Sequence, residues 1–525
     1  MACLSENACL GRNYAGKRDA LSNMGEQEKR LTLRAVAGSY IFNLGTGVPD
    51  SAQQSVLKLP HPIKSEDKGR LFFTRFDGSL QWDGFDTVLK LDAKLISASL
   101  YINGNYVTKV ENTLMTALVR VDEFLKKKNS LYLKLDNNDT EEDEVIRSLS
   151  LFHVPKSRIT DLFIKSRIDH GKAEVSASIT VKAGDIGMAV GGSVIMSLHD
   201  GRTTVAETEI RIPAFRKNHW VSVRAKLIIE SPRLWSPEDP YRYTALIQLF
   251  RADGTIADVR RVHYGVRELW LRRYERRGKI EPQMVLNGHS VKVKGAVVRE
   301  QYAALPGRLK KMGFNAVRVI EPQNTQFFEA CETEGLLVMC ETKFKVRSNP
   351  KQRGRKKKSV HDPLERPFAL LGEMVTRLQN NSSIFCWSLG SRKAFGNEIL
   401  GEFIRSIDDT RAVNCEGDFR FAVSDFFSAS DCGIKELTAV SAHKPVFVNS
   451  FFKLLLFHKY KNHPLLLCET SLDTENLREK FHAVESIERF MGFFVDIEEL
   501  QNTEGLKEVL LSDSYRFSGH TGDTA

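Results

Sequence analysis

The chain has 525 residues, of which 42% are apolar and 27% charged, with a net charge of +10 that is dispersed along its length. That is the balance of an ordinary soluble globular protein, long enough for about three domains of roughly 150 residues each, and no window reaches the ~20 apolar residues a membrane-spanning helix needs. Residues 1–24 lack the apolar core of a signal peptide and none of the eight cysteines falls between residues 10 and 330, so the expectation is a cytoplasmic protein with reduced thiols, no structural zinc, no membrane partner and little claim on nucleic acid.

Along the chain, residues 1–32 are polar and irregular, and residues 33–44 suggest a first strand. Short segments of alternating apolar and polar residues follow at 71–76, 87–91, 97–102 and 130–135, the pattern of half-buried antiparallel strands. Asn103-Gly104 between aromatic neighbours marks a hairpin whose turn needs positive φ at both positions. The acidic stretch 136–144 reads as a loop. A second alternating set at 173–181, 193–198, 220–229, 243–250 and 258–264 has the spacing of an immunoglobulin-like sandwich. From residue 283 the pattern changes to continuous apolar strands separated by helical stretches: 291–298, 315–320, 336–342, 384–390, 412–416, 422–427, 464–469 and 491–497. Strands apolar on both faces belong to a buried parallel sheet, and eight of them fit a (β/α)₈ barrel. The basic run at 351–358 reads first as a solvated loop, with a docking site for an anionic partner or a nuclear-import signal as the alternatives.

Local motifs carry a family resemblance. SASLYING (97–104), with NSLYLKL (129–135), resembles the sugar-binding-like first domain of glycoside hydrolase family 2, the β-galactosidase and β-glucuronidase family. PRLWSPEDPY (232–241) with YGVR (264–267) is similar to the end of that family's sandwich, and LNGHSVKVKG (286–295) to the start of its barrel. GFNAVR (313–318), GLLVMCE (335–341) and SIFCWSLG (383–390) resemble its second, third and fourth barrel strands. The resemblance implies a jelly-roll (galactose-binding-like) domain at 33–155, an immunoglobulin-like sandwich at 156–275, a TIM barrel at 276–510 and a tail at 511–525.

It also implies where chemistry would sit. A retaining glycosidase needs two carboxyls about 5–5.5 Å apart, one a proton donor and one a nucleophile. HPLLLCET (463–470) resembles the nucleophile motif and puts Glu469 at the nucleophile position, although Thr470 stands where the family has an aromatic residue. At the end of the fourth strand the family has Ser-Leu-Gly-Asn-Glu, and this chain has Ser388, Leu389, Gly390, Ser391 and Arg392. Arginine therefore occupies the acid/base position. Gly396-Asn397-Glu398 repeats the lost tripeptide six residues on, but inside the following helix. Lys345, Arg347 and Arg392 stand at the magnesium-ligand positions, and three cations do not bind a hard divalent ion, so no cofactor is expected. Arg299 and Glu321 replace two family histidines. Arg318, Glu341, Trp387 and Ser391 are the expected substrate-binding positions, with ion pairing and packing the alternative for each. The expectation is a family-derived protein whose hydrolysis is lost or impaired, binding a carbohydrate or anionic ligand, with an oligomer open. An active exo-β-glycosidase using Glu469 and an acid such as Glu341, Glu321 or Glu398 is the alternative.

Overall fold

The computed structural model describes residues 29–32, 34–36, 54–56, 58–64, 67, 69–77, 84–94, 96–111, 114–136, 144–276, 279–342, 364–391, 396–418, 421–430, 465–470 and 490–496; of some, including Ser391 and Glu469, it describes the backbone alone. Arg392 and the basic run lie outside this set, as do residues 37–44 of the first expected strand.

The expected alternation becomes two β-sandwiches. In Ala98–Ile102 buried and half-buried residues alternate strictly, and Asn103 (φ 52°) and Gly104 (φ 84°) make the turn into Asn105–Val110. This hairpin belongs to a six-stranded sheet whose partner is a five-stranded sheet containing Phe85–Lys94 and Val145–Pro155. Phe72, Leu100, Leu131 and Leu133 of one sheet meet Leu89, Leu91 and Leu149 of the other. The second sandwich pairs a three-stranded sheet with a four-stranded one, and each of the five expected segments lies inside an observed strand. Its strand Thr203–Ile212 was not expected. It lies at the sheet edge with its first residues exposed, so charged and small residues leave it little apolar pattern.

The hairpin Leu269–Arg276 and Lys279–Leu286 was also not expected. Leu269, Leu271, Met284 and Leu286 pack with Trp235 against the inward residues of the barrel, closing one end of it. The barrel itself has eight parallel strands: Val293–Val298, Ala316–Ile320, Leu337–Glu341, Ile384–Ser391, Ala412–Glu416, Phe427–Ser430, Leu465–Thr470 and Phe490–Asp496. In space they run from the fifth back to the first, then the eighth, seventh and sixth. The seam between fifth and sixth is joined by Gly417 N–H to the Ser428 carbonyl at 3.0 Å and by Ser428 Oγ to Asn414 Oδ1 at 2.9 Å. The sixth strand begins at Phe427, where residues 422–427 were expected. Backbone N–H groups of Val423 and Ser424 are taken by the Asp418 carboxylate instead, and Asp425 accepts from Val413 N, which makes the apolar stretch a buried loop.

Along the third strand odd and even residues part. Leu337 and Met339 face the barrel interior, and Val338 and Cys340 face the helices. Position 295 is glycine for a steric reason, since a Cβ there would lie 2.1 Å from the Phe494 ring. Among the described helices, Glu365–Leu378 also holds the first sandwich. Glu373 accepts backbone N–H bonds from Leu114, Met115 and Thr116 at 2.7, 3.1 and 3.1 Å, and Arg377 donates to the Thr116 carbonyl at 2.6 Å. Leu114 and Met115 are themselves part of the core between barrel and helices. Glu373→Gln removes the charge that strengthens these bonds, so urea denaturation should show about 1–3 kcal/mol less stability. An unchanged midpoint and slope would show that the bonds are not what joins the two units.

Candidate active site

The inward alternation turns polar at the carboxyl ends of the strands, where barrel chemistry occurs. Arg318 on the second strand is 3% exposed. Its Nη2 and Nε reach Glu341 Oε2 on the third strand at 2.8 and 3.1 Å, and Nη2 also reaches Glu416 Oε2 on the fifth at 3.1 Å. Ser388 on the fourth strand donates to the same Glu341 oxygen at 2.9 Å, and its Oγ accepts from Gly390 N at 3.1 Å. Four adjacent strands are thus joined by one buried network. An ion group so deeply buried is tolerable because every charge in it is paired and hydrogen-bonded.

Two further ion pairs flank it. Arg299, after the first strand, meets Asp496 Oδ2 at the end of the eighth at 2.6 Å. Glu321, after the second strand, takes the left-handed conformation (φ 55°) and receives Lys94 Nζ from the first sandwich at 2.8 Å. The Glu321 N–H bonds to the Glu341 carbonyl at 2.8 Å. Gln301 then holds the loop, donating to the Glu321 carbonyl and accepting from Gln323 N, at 2.9 and 2.8 Å. The first sandwich therefore reaches the rim of the barrel.

Of the expected substrate-binding positions, Arg318 and Glu341 are brought together, and the backbone of Ser391 ends the fourth strand opposite Glu416 of the fifth. Trp387 is not brought there. Its position on the strand turns the indole to the helix side, fully buried in the outer core, where Nε1 donates to Asp408 Oδ2 at 2.8 Å. Glu398 lies in the first turn of helix Asn397–Ile407, exposed, while Asn397, Leu400 and Ile404 take the buried face. Backbone pairing places Glu469 on the seventh strand, beside Ser430 of the sixth.

Two family models match the chain: "Glycosyl hydrolases family 2, TIM barrel domain" over residues 288–519 and "Glycosyl hydrolases family 2" over residues 157–267. The chain belongs to glycoside hydrolase family 2. Among curated family 2 proteins, it is 26% identical to a β-galactosidase of Oenococcus oeni over 407 residues, 72% of this chain and 38% of that protein. It is also 26% identical to a β-galactosidase of Halalkalibacterium halodurans over 305 residues, 54% of this chain and 28% of that protein. The chain thus spans only about a third of the curated relatives it matches. In fold it is similar to Bacteroides uniformis β-glucuronidase 2 covalently bound to cyclophellitol-6-carboxylate aziridine, with a TM-score of 0.71, 17% identity and cover of 90% of this chain and 64% of that one. A β-D-glucuronidase of Dictyoglomus thermophilum gives a TM-score of 0.65 at 15% identity, covering 92% and 91%.

Within this family 2 fold, sequence reasoning missed Glu416, Asp496 and Lys94. Glu416 and Asp496 each end an apolar barrel strand, a signal that was available, whereas Lys94 is brought in by domain docking and has no local signal. Below the rim, Asp408 accepts from Arg411 Nη1 at 2.8 Å and from Thr410 N and Oγ1 at 2.9 and 2.7 Å. Burial pushes its carboxyl up, but Arg411, Thr410 and the Trp387 indole together outweigh burial and hold it below its ordinary value of 3.8. A depressed carboxyl stabilises the fold above pH 3.8, and that contribution is lost as pH falls through the folded-state value. Asp408→Asn should therefore be less stable than the parent at neutral pH, with the gap in melting temperature closing in acid. A gap that stays constant with pH would mean that the charge of Asp408 contributes nothing.

Proposed function

We propose that the chain is a carbohydrate-binding member of its family in which hydrolysis is lost or strongly impaired. One observation supports this beyond the Arg392 substitution: Glu341, Glu321 and Glu398, the carboxyls expected as alternative acids, are each engaged or turned away. Glu341 is held by Arg318 and Ser388, Glu321 by Lys94, and Glu398 is exposed on the helix surface. A guanidinium with a pKa above ~12 cannot donate its proton usefully, and losing general acid catalysis costs about 10²–10⁴-fold in rate. Glu469 remains at the nucleophile position, so the first bond-breaking step is impaired most for substrates whose leaving group needs a proton. Cations at 345, 347 and 392 in place of family carboxylates and a histidine favour an acidic sugar. A cytoplasmic location is consistent with the buried thiols of Cys331, Cys340, Cys386 and Cys415, which form no disulfide among the described residues.

Assaying the purified protein against lactose, β-glucuronides and dinitrophenyl glycosides tests this. The expected result is no useful turnover of the unactivated sugars and a slow, Glu469-dependent release of dinitrophenol. Rapid lactose hydrolysis would overturn the proposal, and its abolition by Glu398→Gln would identify the acid.

A further inference from the structure

The turn that leads from the second barrel strand into helix Thr325–Glu334 is held from two sides. The barrel holds its backbone. The N–H groups of Glu321 and Gln323 bond to the Glu341 carbonyl and to Gln301 Oε1, both at 2.8 Å, and Asn324 N reaches the same Gln301 oxygen at 3.4 Å. Pro322 between them brings no N–H. The first sandwich holds the side chains of the turn. Lys94 Nζ donates to Glu321 Oε2 at 2.8 Å, and Arg147, anchored on Asp92 at 3.0 Å, reaches Gln323 Oε1 at 3.4 Å.

The sandwich strand is built to present these groups. In Phe85–Lys94 the residues Leu89, Leu91 and Ala93 fill the sandwich core, so Asp92 and Lys94 stand on the opposite face, toward the barrel. Lys94 is 5% exposed, a depth at which an ammonium needs a partner, and among the described residues its ion-pair partner is Glu321. Glu321 in turn has a φ of 55°, a conformation that a residue with a Cβ keeps only where its surroundings over-determine it. Of the Glu341 carbonyl, Gln301 and Lys94, which all hold it, Lys94 is the one from outside the barrel. Oε1 of Glu321 accepts no hydrogen bond among the described residues, and the side chain is 20% exposed. It remains a charged acceptor at the rim.

We propose that Lys94 is a positioning residue for the barrel mouth: without touching the ligand, it fixes the Glu321 turn and cancels the Glu321 charge, so that an acidic sugar is tolerated beside that carboxylate. The ligand part of this rests on the carbohydrate-binding function proposed above, and the conformational part stands without it.

Hydrogen exchange, together with calorimetric titration with glucuronate and galactose, tests both parts on the full chain and on its Lys94→Met, Lys94→Arg and Glu321→Gln variants. In Lys94→Met the amides of residues 321–324 should exchange about tenfold faster or more. The same variant should bind glucuronate about tenfold more weakly, because the uncancelled carboxylate repels it, and galactose should be affected less. Lys94→Arg should stay near the parent in both measurements, since it restores the charge. Combined with Glu321→Gln, Lys94→Met should add little to the loss of glucuronate binding, because the charge it cancelled is gone. Parent exchange rates at 321–324 in Lys94→Met would overturn the proposal. So would equal weakening of the two sugars, or a Lys94→Arg variant that behaves like Lys94→Met. If neither sugar binds the parent, the carbohydrate-binding function and the ligand part fall together, and the exchange rates alone decide the conformational part. Should Lys94→Met fail to fold, Glu321→Gln carries the same exchange test from the more exposed side of the pair: faster exchange at 321–324 is expected, and parent rates there would overturn the proposal.

Discussion

Arg318→Ala should lower the unfolding free energy by about 3–5 kcal/mol, the range found when one partner of a buried ion group is removed. The guanidinium is 3% exposed and serves both Glu341 and Glu416. Its loss leaves Glu341, also 3% exposed, with only the Ser388 hydroxyl bond at that oxygen, and a buried unpaired carboxylate is costly. Arg318→Lys should recover part of the loss, because it restores charge but not the fork that reaches two carboxylates at once. Removing both signs together, as in Arg318→Met with Glu341→Leu, should cost less than the single Arg318→Ala change. Urea denaturation of the three variants measures these differences. If Arg318→Ala fell within about 0.5 kcal/mol of the parent, as an ordinary surface substitution does, the buried network would have no part in stability.

The second large effect concerns rate. Ser391→Asn with Arg392→Glu restores the two residues that the family carries at the end of the fourth strand, and with them the carboxyl that the proposed function counts as lost. General acid catalysis is worth about 10²–10⁴-fold, and that is the largest gain the pair of substitutions can give on an unactivated β-galactoside. The gain should fall short of a full family enzyme. Glu321 is held by Lys94 and Arg299 by Asp496, so two positions at which the family places histidine present ion pairs to the sugar, and a misplaced substrate loses much of the benefit of a correct acid. Comparing lactose turnover by the double variant with turnover after further changes at Arg299 and Glu321 measures each part. Full activity from the double variant alone would show that the rest of the pocket is intact.

Much of the architecture was legible because it rests on local patterns. Continuous apolar strands and the motifs GFNAVR and GLLVMCE located barrel strands to within a few residues, and Asn103-Gly104 specified its own turn. The sixth strand was misplaced for a physical reason: Asp418 captures the Val423 and Ser424 N–H groups that the apolar run would otherwise offer to a neighbouring strand, and Asp425 takes the Val413 N–H of the fifth strand. Trp387 shows a different limit. Whether a barrel residue faces the sugar or the helices depends on a one-residue phase, and the motif gives the strand without giving that phase. Alternation around it, with Cys386 inward and Leu389 outward, assigns the indole to packing. Lys94 was illegible because its partner is 227 positions away and in another unit.

The contact of residues 114–116 with the helix at Glu373 limits how far this protein can be treated as modular. Leu114 and Met115 are covalently part of the first sandwich but belong energetically to the core outside the barrel. A fragment cut near residue 155 would carry an apolar socket on its helix surface with the plug removed, and at Glu373 a carboxylate with no amides to receive. The exposed apolar socket should make such a fragment aggregate or bind the isolated sandwich in trans. In evolution the same contact discourages recombination at that boundary, since any incoming domain would need a matching loop, and the sandwich is retained whatever becomes of the chemistry at the other end of the barrel strands.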